Sequence, residues 1–99
     1  MNMQQLMFQA QKMKRDLDKA KKELSEKEFE VSKGGAVKVT LKGDRTIKSI
    51  NIDEGAFDQD NKDMIEDMIV MAINEAMQQI QDAEDQLNQK ITGNAGGLG

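Results

Sequence analysis

The sequence has 99 residues, a net charge of −4, three aromatic residues that are all Phe, and neither His nor Cys. A chain of this length forms one domain with a thin core, and because no disulfide can stabilise it, we expect it to self-associate. The commonest general base, the thiol nucleophile and the usual soft metal ligands are absent, as are phosphate-loop and nucleophile motifs, so we expect neither an enzyme nor a cofactor.

The N-terminus has no apolar run of signal-peptide length, and no segment approaches the roughly 20 apolar residues of a membrane span. We therefore predict a cytoplasmic protein with neither a membrane nor a small-molecule substrate as its partner. The charge is unevenly distributed: residues 1–50 contain 12 basic and 7 acidic side chains, whereas residues 51–99 contain 2 and 11. Such asymmetry raises the question of a polyanionic partner.

The first predicted element is a long helix over residues 2–26, with no Gly or Pro inside it. Its apolar residues are spaced alternately three and four apart, which is a heptad pattern. At about 1.5 Å per residue the helix would be about 36 Å long. The rest of the chain is too small to cover it, so it should project or pair with another helix. We call its heptad residues the apolar seam: Met3, Leu6, Ala10, Met13, Leu17, Ala20 and Leu24.

Three short strands joined by tight turns are predicted next, and together they make an antiparallel meander. The first strand alternates apolar and polar residues around Phe29 and Val31, and Gly34-Gly35 supplies the first turn. The second strand, residues 36–42, presents one apolar face, which consists of Val37, Val39 and Leu41.

The third strand, within residues 46–53, follows a turn at Gly43-Asp44 and breaks the alternation. Ile50 and Ile52 share one face, whereas simple alternation puts Ile47 on the other face. Either a β-bulge restores the phase or another element covers Ile47.

An acidic loop leads into a second long helix, predicted over residues 62–90. Asp60 or Asn61 is expected to cap the N-terminus of this helix. The same segment resembles a calcium-binding loop only weakly, because Lys62 and Asp63 stand where an acceptor and a glycine are needed. No metal site is therefore predicted.

The first half of the second helix is apolar around most of its circumference, which is not expected for a surface helix of a monomer. One face can lie on the sheet and another can meet the first helix, which leaves apolar surface for a second copy. We therefore predict a homodimer whose interface is formed by Val37, Val39, Leu41, Val70, Ile73 and Met77. The domain is expected to span residues 1–92, and the Gly-rich residues 93–99 to form a disordered tail.

The first helix also has a basic row, which we define as Lys12, Arg15, Lys19 and Lys22, on the face opposite the apolar seam. Lys14 and Lys21 flank the seam on another side. A basic row can follow a phosphate backbone. The same residues can instead form i,i+4 ion pairs on a solvated helix, for example between Lys12 and Asp16. From the residues alone the solvated face is favoured, since charge runs usually have that role.

A second, weaker basic patch is predicted on the strands and their turn. It consists of Lys38, Lys42, Arg45 and Lys48, and no aromatic residue is interleaved to stack on bases.

Several runs in a fixed order point to a family: GGAVKVTLKG at residues 34–43, SINID at residues 49–53 and DMIEDMIVMAINEAMQQI at residues 63–80. With the Met/Gln/Lys-rich first helix and the Gly-rich tail, the chain resembles the YbaB/EbfC family of bacterial nucleoid-associated proteins. The resemblance implies an α+β subunit with a long helix at each end of a three-stranded meander, and a tweezer-like homodimer. It also implies binding to double-stranded DNA with low sequence specificity, in nucleoid organisation or gene regulation.

By position, the resemblance assigns DNA contact to six residues of the first helix: Lys12, Lys14, Arg15, Lys19, Lys21 and Lys22. Two departures are evident. Glu54 stands where the family commonly has Pro, and the second half of the second helix is acidic, which makes it a poor ligand for phosphate.

The acidic second helix is the basis of an alternative function, that of a protein-interaction adaptor. In that case the long helices would hold a basic or apolar protein, such as one acting in recombination or replication, without direct contact to DNA.

Overall fold

The structure is a computed structural model that describes residues 2–96, with side chains described for residues 2–90. The chain is 70 Å long in its largest dimension and 24 × 14 Å across. Its order of elements confirms the predicted α+β class: α1 (Met3–Glu26), β1 (Glu28–Lys33), β2 (Val37–Lys42), β3 (Ile47–Ile52), short 3-10 turns at Glu54–Ala56 and Gln59–Asn61, and α2 (Lys62–Gly96). Neither helix, over its described residues, has an apolar stretch that could cross a lipid bilayer.

The three strands form an antiparallel sheet in the order β1-β2-β3, and β3 contains a bulge. Leu41 of β2 pairs with Ile47, whereas regular pairing continued from Ile50 would have placed Leu41 opposite Lys48. Directly paired residues share a face of the sheet. The extra residue therefore brings Ile47 onto the same face as Ile50 and Ile52, and the bulge is the correct one of the two explanations.

α2 packs mainly on β1 and β2 and leaves much of β3 uncovered. Ala72, Ala76 and Ile80 are fully buried in one aliphatic cluster with Val39 and Leu41. The two alanines let the helix approach the sheet closely, and each large aliphatic side chain buried here contributes about 1.5–3 kcal/mol.

The uncovered part of the sheet is apolar. Ile47 and Ile50 share the face that α2 covers elsewhere, yet they remain 45% and 41% exposed. Among the described residues, this apolar surface next to the core therefore remains partly open.

α1 projects from the sheet. It begins after Asn2, whose side-chain oxygen accepts a hydrogen bond of 2.8 Å from the backbone N–H of Gln5. None of its residues is buried, and its half-buried apolar residues are the last three of the apolar seam, Leu17, Ala20 and Leu24. A crevice between the helices is lined by Ala20 and Leu24 from α1 and by Ala83 and Leu87 from α2.

The turn between β2 and β3 is fastened to α1. The backbone N–H of Gly43 donates to the carbonyl of Lys27 at 2.8 Å, and that of Asp44 donates to the carbonyl of Ser25 at 3.0 Å. The approach is so close that a Cβ on Gly43 would lie 1.8 Å from the carbonyl oxygen of Leu24. Glycine is therefore required at this position for space.

The same turn is fastened to α2 by Arg45, which has a positive φ of 71°. Its guanidinium donates to both carboxylate oxygens of Glu84, at 2.7 and 3.0 Å, and to the side-chain oxygen of Gln81 at 3.2 Å. The hydrogen bond from Arg45 lowers the pKa of the Glu84 carboxyl below its ordinary value. We call Gly43, Asp44 and Arg45 the joint, because they connect both helices to the sheet.

The ends of α2 differ from the prediction. At its start, Asp58 accepts a hydrogen bond from the N–H of Asp60, and the Asn61 side chain donates to the carbonyl of Ala56. Asp58 and Asn61 therefore stabilise the turns that precede α2.

At its other end, α2 continues to Gly96, past the predicted end at Lys90 and into the segment predicted to be disordered. Asn and Gly are poor helix formers, but neither blocks the backbone hydrogen bonds as Pro does. The rest of the predicted tail, residues 97–99, lies outside the described residues.

Gly43→Ala should destabilise the protein by roughly 1–3 kcal/mol, because the added methyl group overlaps the end of α1. Chemical denaturation at a fixed protein concentration measures the effect. Gly55→Ala is the control, since its Cβ would meet a movable carboxylate oxygen of Asp53 at 3.0 Å. Equal stability of Gly43→Ala and the wild type would contradict the close contact.

Glu84→Gln should remove an acid-sensitive part of the stability. Because Arg45 lowers the pKa of Glu84, the ion pair stabilises the fold above the pKa of the unfolded chain and is lost as the pH falls through the lower folded-state pKa. The difference in denaturation midpoint between the wild type and Glu84→Gln should be small, because the pair is partly exposed, and should shrink from about pH 5 to about pH 3.

Asp85→Asn is the matched control for that measurement, because Asp85 accepts a hydrogen bond from Gln81 rather than from a cation. A Glu84→Gln effect that did not change with pH would show that the ion pair contributes nothing to stability.

Candidate nucleic-acid interface

The basic row lies on the face of α1 that points away from α2. Leu17, Ala20 and Leu24 turn toward α2, and an α-helix with 3.6 residues per turn places residues 12, 15, 19 and 22 on the opposite side. All four side chains are exposed. From its first to its last residue the row is about 15 Å long.

Lys14 and Lys21 flank the apolar seam and are well separated from the row around α1. Lys21 lines a crevice of about 370 Å³ next to the joint, together with Gly43 and Glu84. Its charge therefore faces an acidic side chain. Of the six predicted DNA-contacting residues, the structure aligns four and sets these two apart.

The ion pairs expected within α1 do not form. Across residues 2–90, the ion pairs found involve Lys33, Lys38, Arg45, Lys48 and Lys62, and none involves a basic residue of α1. The basic row thus remains unpaired among the described residues, and its charge is accessible to a polyanion.

The second basic patch is largely neutralised. The Nζ atom of Lys38 lies 3.3 Å from a carboxylate oxygen of Glu30. The Nζ atom of Lys48 lies 2.8 Å from a carboxylate oxygen of Glu28. Arg45 is held by Glu84 at the joint. Three of the four cations of this patch are thus paired with carboxylates and are less available to a polyanion than the basic row is.

The predicted dimer residues separate into two groups. Val37, Val39 and Leu41 are at most 2% exposed, because α2 of the same chain covers them. The assignment of these three to a surface for a second copy is therefore revised. Apolar alternation identifies which residues share a face, but it does not indicate that the chain's own helix covers that face.

The remaining predicted dimer residues lie on the flank of α2 that faces β3. Val70, Ile73 and Met77 continue in three- and four-residue steps toward Glu84, which reaches the β2–β3 turn. Val70 is 58% exposed, and the other two are half-buried. With Ile47 and Ile50, which were not among the predicted dimer residues, they form what we call the apolar corner.

A groove of about 560 Å³ continues the apolar corner toward the start of α2. Ile52, Phe57 and Ile69 line it, and Phe57 is 74% exposed. Phe57 thus adds a large exposed aromatic side chain to the apolar surface on this side of the chain.

Comparisons with known proteins agree with this architecture. A nucleoid-associated protein of Ruminiclostridium cellulolyticum is 42% identical over 98 residues, which cover 98% of this chain and 85% of that protein. A nucleoid-associated protein of Mycoplasmopsis pulmonis is 37% identical over 91 residues, which cover 92% and 90%.

The fold is similar to that of an uncharacterized protein of Helicobacter pylori whose crystal structure has been solved. The TM-score is 0.68 at 18% sequence identity, over 92% of this chain and 97% of that chain. At this identity the likeness concerns the fold alone. A family model described as the YbaB/EbfC DNA-binding family matches residues 1–95. Because that match spans nearly the whole chain and the relatives named above are close to 40% identical, the chain belongs to the YbaB/EbfC DNA-binding family.

Proposed function

We propose that the protein binds the phosphate backbone of double-stranded DNA through the basic row of α1. The observation that supports this most directly is the row itself: four exposed cations, unpaired among the described residues, on one face of a projecting helix. Each phosphate that a cation neutralises releases counterions, which favours binding at low salt.

Low sequence specificity follows from the same chemistry, because phosphate contacts position a protein on DNA without distinguishing base pairs. The names of the relatives support a location on the nucleoid, where the protein would contribute to nucleoid organisation or gene regulation.

We also propose that the protein is a homodimer that associates through the apolar corner. The corner combines exposed Ile47 and Ile50 on an edge strand with Val70 on α2, and an adjoining groove extends it. A second copy would cover this surface and pair with an otherwise open strand edge. The dimer would present two basic rows, which doubles the charge available to DNA.

The acidic second half of α2 supports a second candidate, the protein-interaction adaptor. Asp82 and Asp85 are exposed there, and their carboxylates would attract a basic protein. A partner retained from nuclease-treated lysate, together with no DNA binding even at low salt, would favour this candidate.

Replacing Lys12, Arg15, Lys19 and Lys22 together by Gln should abolish DNA binding at moderate salt and leave the dimer intact. In a salt titration with a random-sequence duplex, the slope of log K against log salt should become shallower by about one for each phosphate that the variant no longer neutralises. Fluorescence anisotropy of labelled DNA measures both quantities, and light scattering checks the mass.

A matched control removes the same number of charges at ion-paired positions, by replacing Lys33, Lys38, Lys48 and Lys62 with Gln. This variant should retain most of the binding, since its lysines are already neutralised. If both quadruple variants failed to bind to the same extent, net charge and not the basic row would be responsible.

Ile50→Asp should convert the dimer to monomers, because it puts a charge into the centre of the apolar corner. Sedimentation or light scattering measures the mass. Met71→Asp is the control, since Met71 is 55% exposed but lies on the side of α2 away from β3. A dimer that survived Ile50→Asp, or that dissociated with Met71→Asp instead, would place the interface elsewhere.

A further inference from the structure

Phe8 lies on the face of α1 that bears the basic row. It precedes Lys12 by four residues, so that positions 8, 12, 15, 19 and 22 follow one line of alternating four- and three-residue steps. Leu6 and Ala10 of the apolar seam are two residues away on either side, about 200° around the helix. Phe8 therefore does not belong to the surface that meets α2.

The side chain of Phe8 is 62% exposed. A single exposed apolar residue needs no explanation by itself. Its position is the informative feature: the ring continues a line of cations, one helical turn beyond the first of them. Moreover, no acidic residue occurs between Asn2 and Arg15, so nothing in this segment repels a polyanion.

Aromatic rings contact nucleic acids in two well-defined ways. They stack on exposed bases, or they wedge between base steps that partly unstack. In both cases basic residues nearby hold the backbone while the ring reaches the bases. The line formed by Phe8 and the basic row has this composition.

We propose that Phe8 contacts the bases of duplex DNA at the tip of α1 and inserts its ring at a deformable base step. The inference rests on the proposed function, because the basic row must hold the DNA for the ring to reach it. It adds a contact that is independent of phosphate charge, and it gives the protein a preference for DNA that kinks easily, such as duplexes rich in TA steps.

A tryptophan reporter tests the contact directly, because the chain contains no Trp or Tyr. In Phe8→Trp, the emission should be quenched on addition of duplex DNA and should recover when salt releases the DNA. Gln9→Trp is the matched control, since Gln9 is exposed and adjacent but lies about 100° around the helix. Equal quenching of the two reporters would overturn the proposal.

Affinity measurements provide a second test. Phe8→Ala should bind a random-sequence duplex roughly tenfold more weakly, with the salt slope of the wild type, because no phosphate contact is removed. The preference for TA-rich over A-tract duplexes should shrink as well. Unchanged affinity would overturn the role of Phe8.

The outcomes distinguish this inference from the proposed function. If the wild type does not bind duplex DNA at low salt, the proposed function fails and Phe8 has no such role. If the wild type binds through the basic row but Phe8→Ala binds equally well, only the role of Phe8 fails. Dissociation of the dimer in Phe8→Ala would also overturn it, because Phe8 would then belong to the subunit interface.

Discussion

The architecture depends on how α2 lies across the sheet. Ala72 and Ala76 bring the helix close to β2. The cluster that they form with Val39 and Leu41 is fully buried. Because this contact is centred on β1 and β2, the apolar face of β3 is left open. The thin core of a short chain is thus centred on two strands, and the third strand supplies an apolar surface that the described part of the chain leaves partly open.

The charges of the protein are segregated by the fold. Acidic residues of α2 hold basic residues of the sheet and of its β2–β3 turn, as Glu75 does with Lys33 and Glu84 with Arg45. Among the described residues, three of the seven acidic side chains of α2 are paired with cations, whereas the cations of α1 are left unpaired. An acidic isoelectric point is compatible with DNA binding in such a molecule, since a polyanion encounters the local field of one helix face and not the net charge.

Periodicity made most of the fold predictable. The heptads of α1, the alternation in β1 and β2, and even the phase break at Ile47 each correspond to a structural element. Periodicity does not reveal which element covers which face, so it assigned Val37, Val39 and Leu41 to an interface although α2 buries them. Periodicity also gives no sign that Arg45 is paired, because its partner Glu84 is 39 residues away along the chain. Phe8 lies outside the apolar seam, and only its helical phase relative to the basic row distinguishes it from an ordinary exposed side chain.

The joint has a mechanical consequence. α1 has 24 residues, so its free end is about 36 Å from the turn that holds its base. Over that length, a rotation of about 10° at the base moves the tip by about 6 Å, which is the width of a B-DNA minor groove. Two backbone hydrogen bonds and one glycine contact at the base of α1 therefore help to set where the cations and the ring of Phe8 lie relative to the sheet. The position of the tip of α1 is thus set in part at the joint, at the opposite end of the helix.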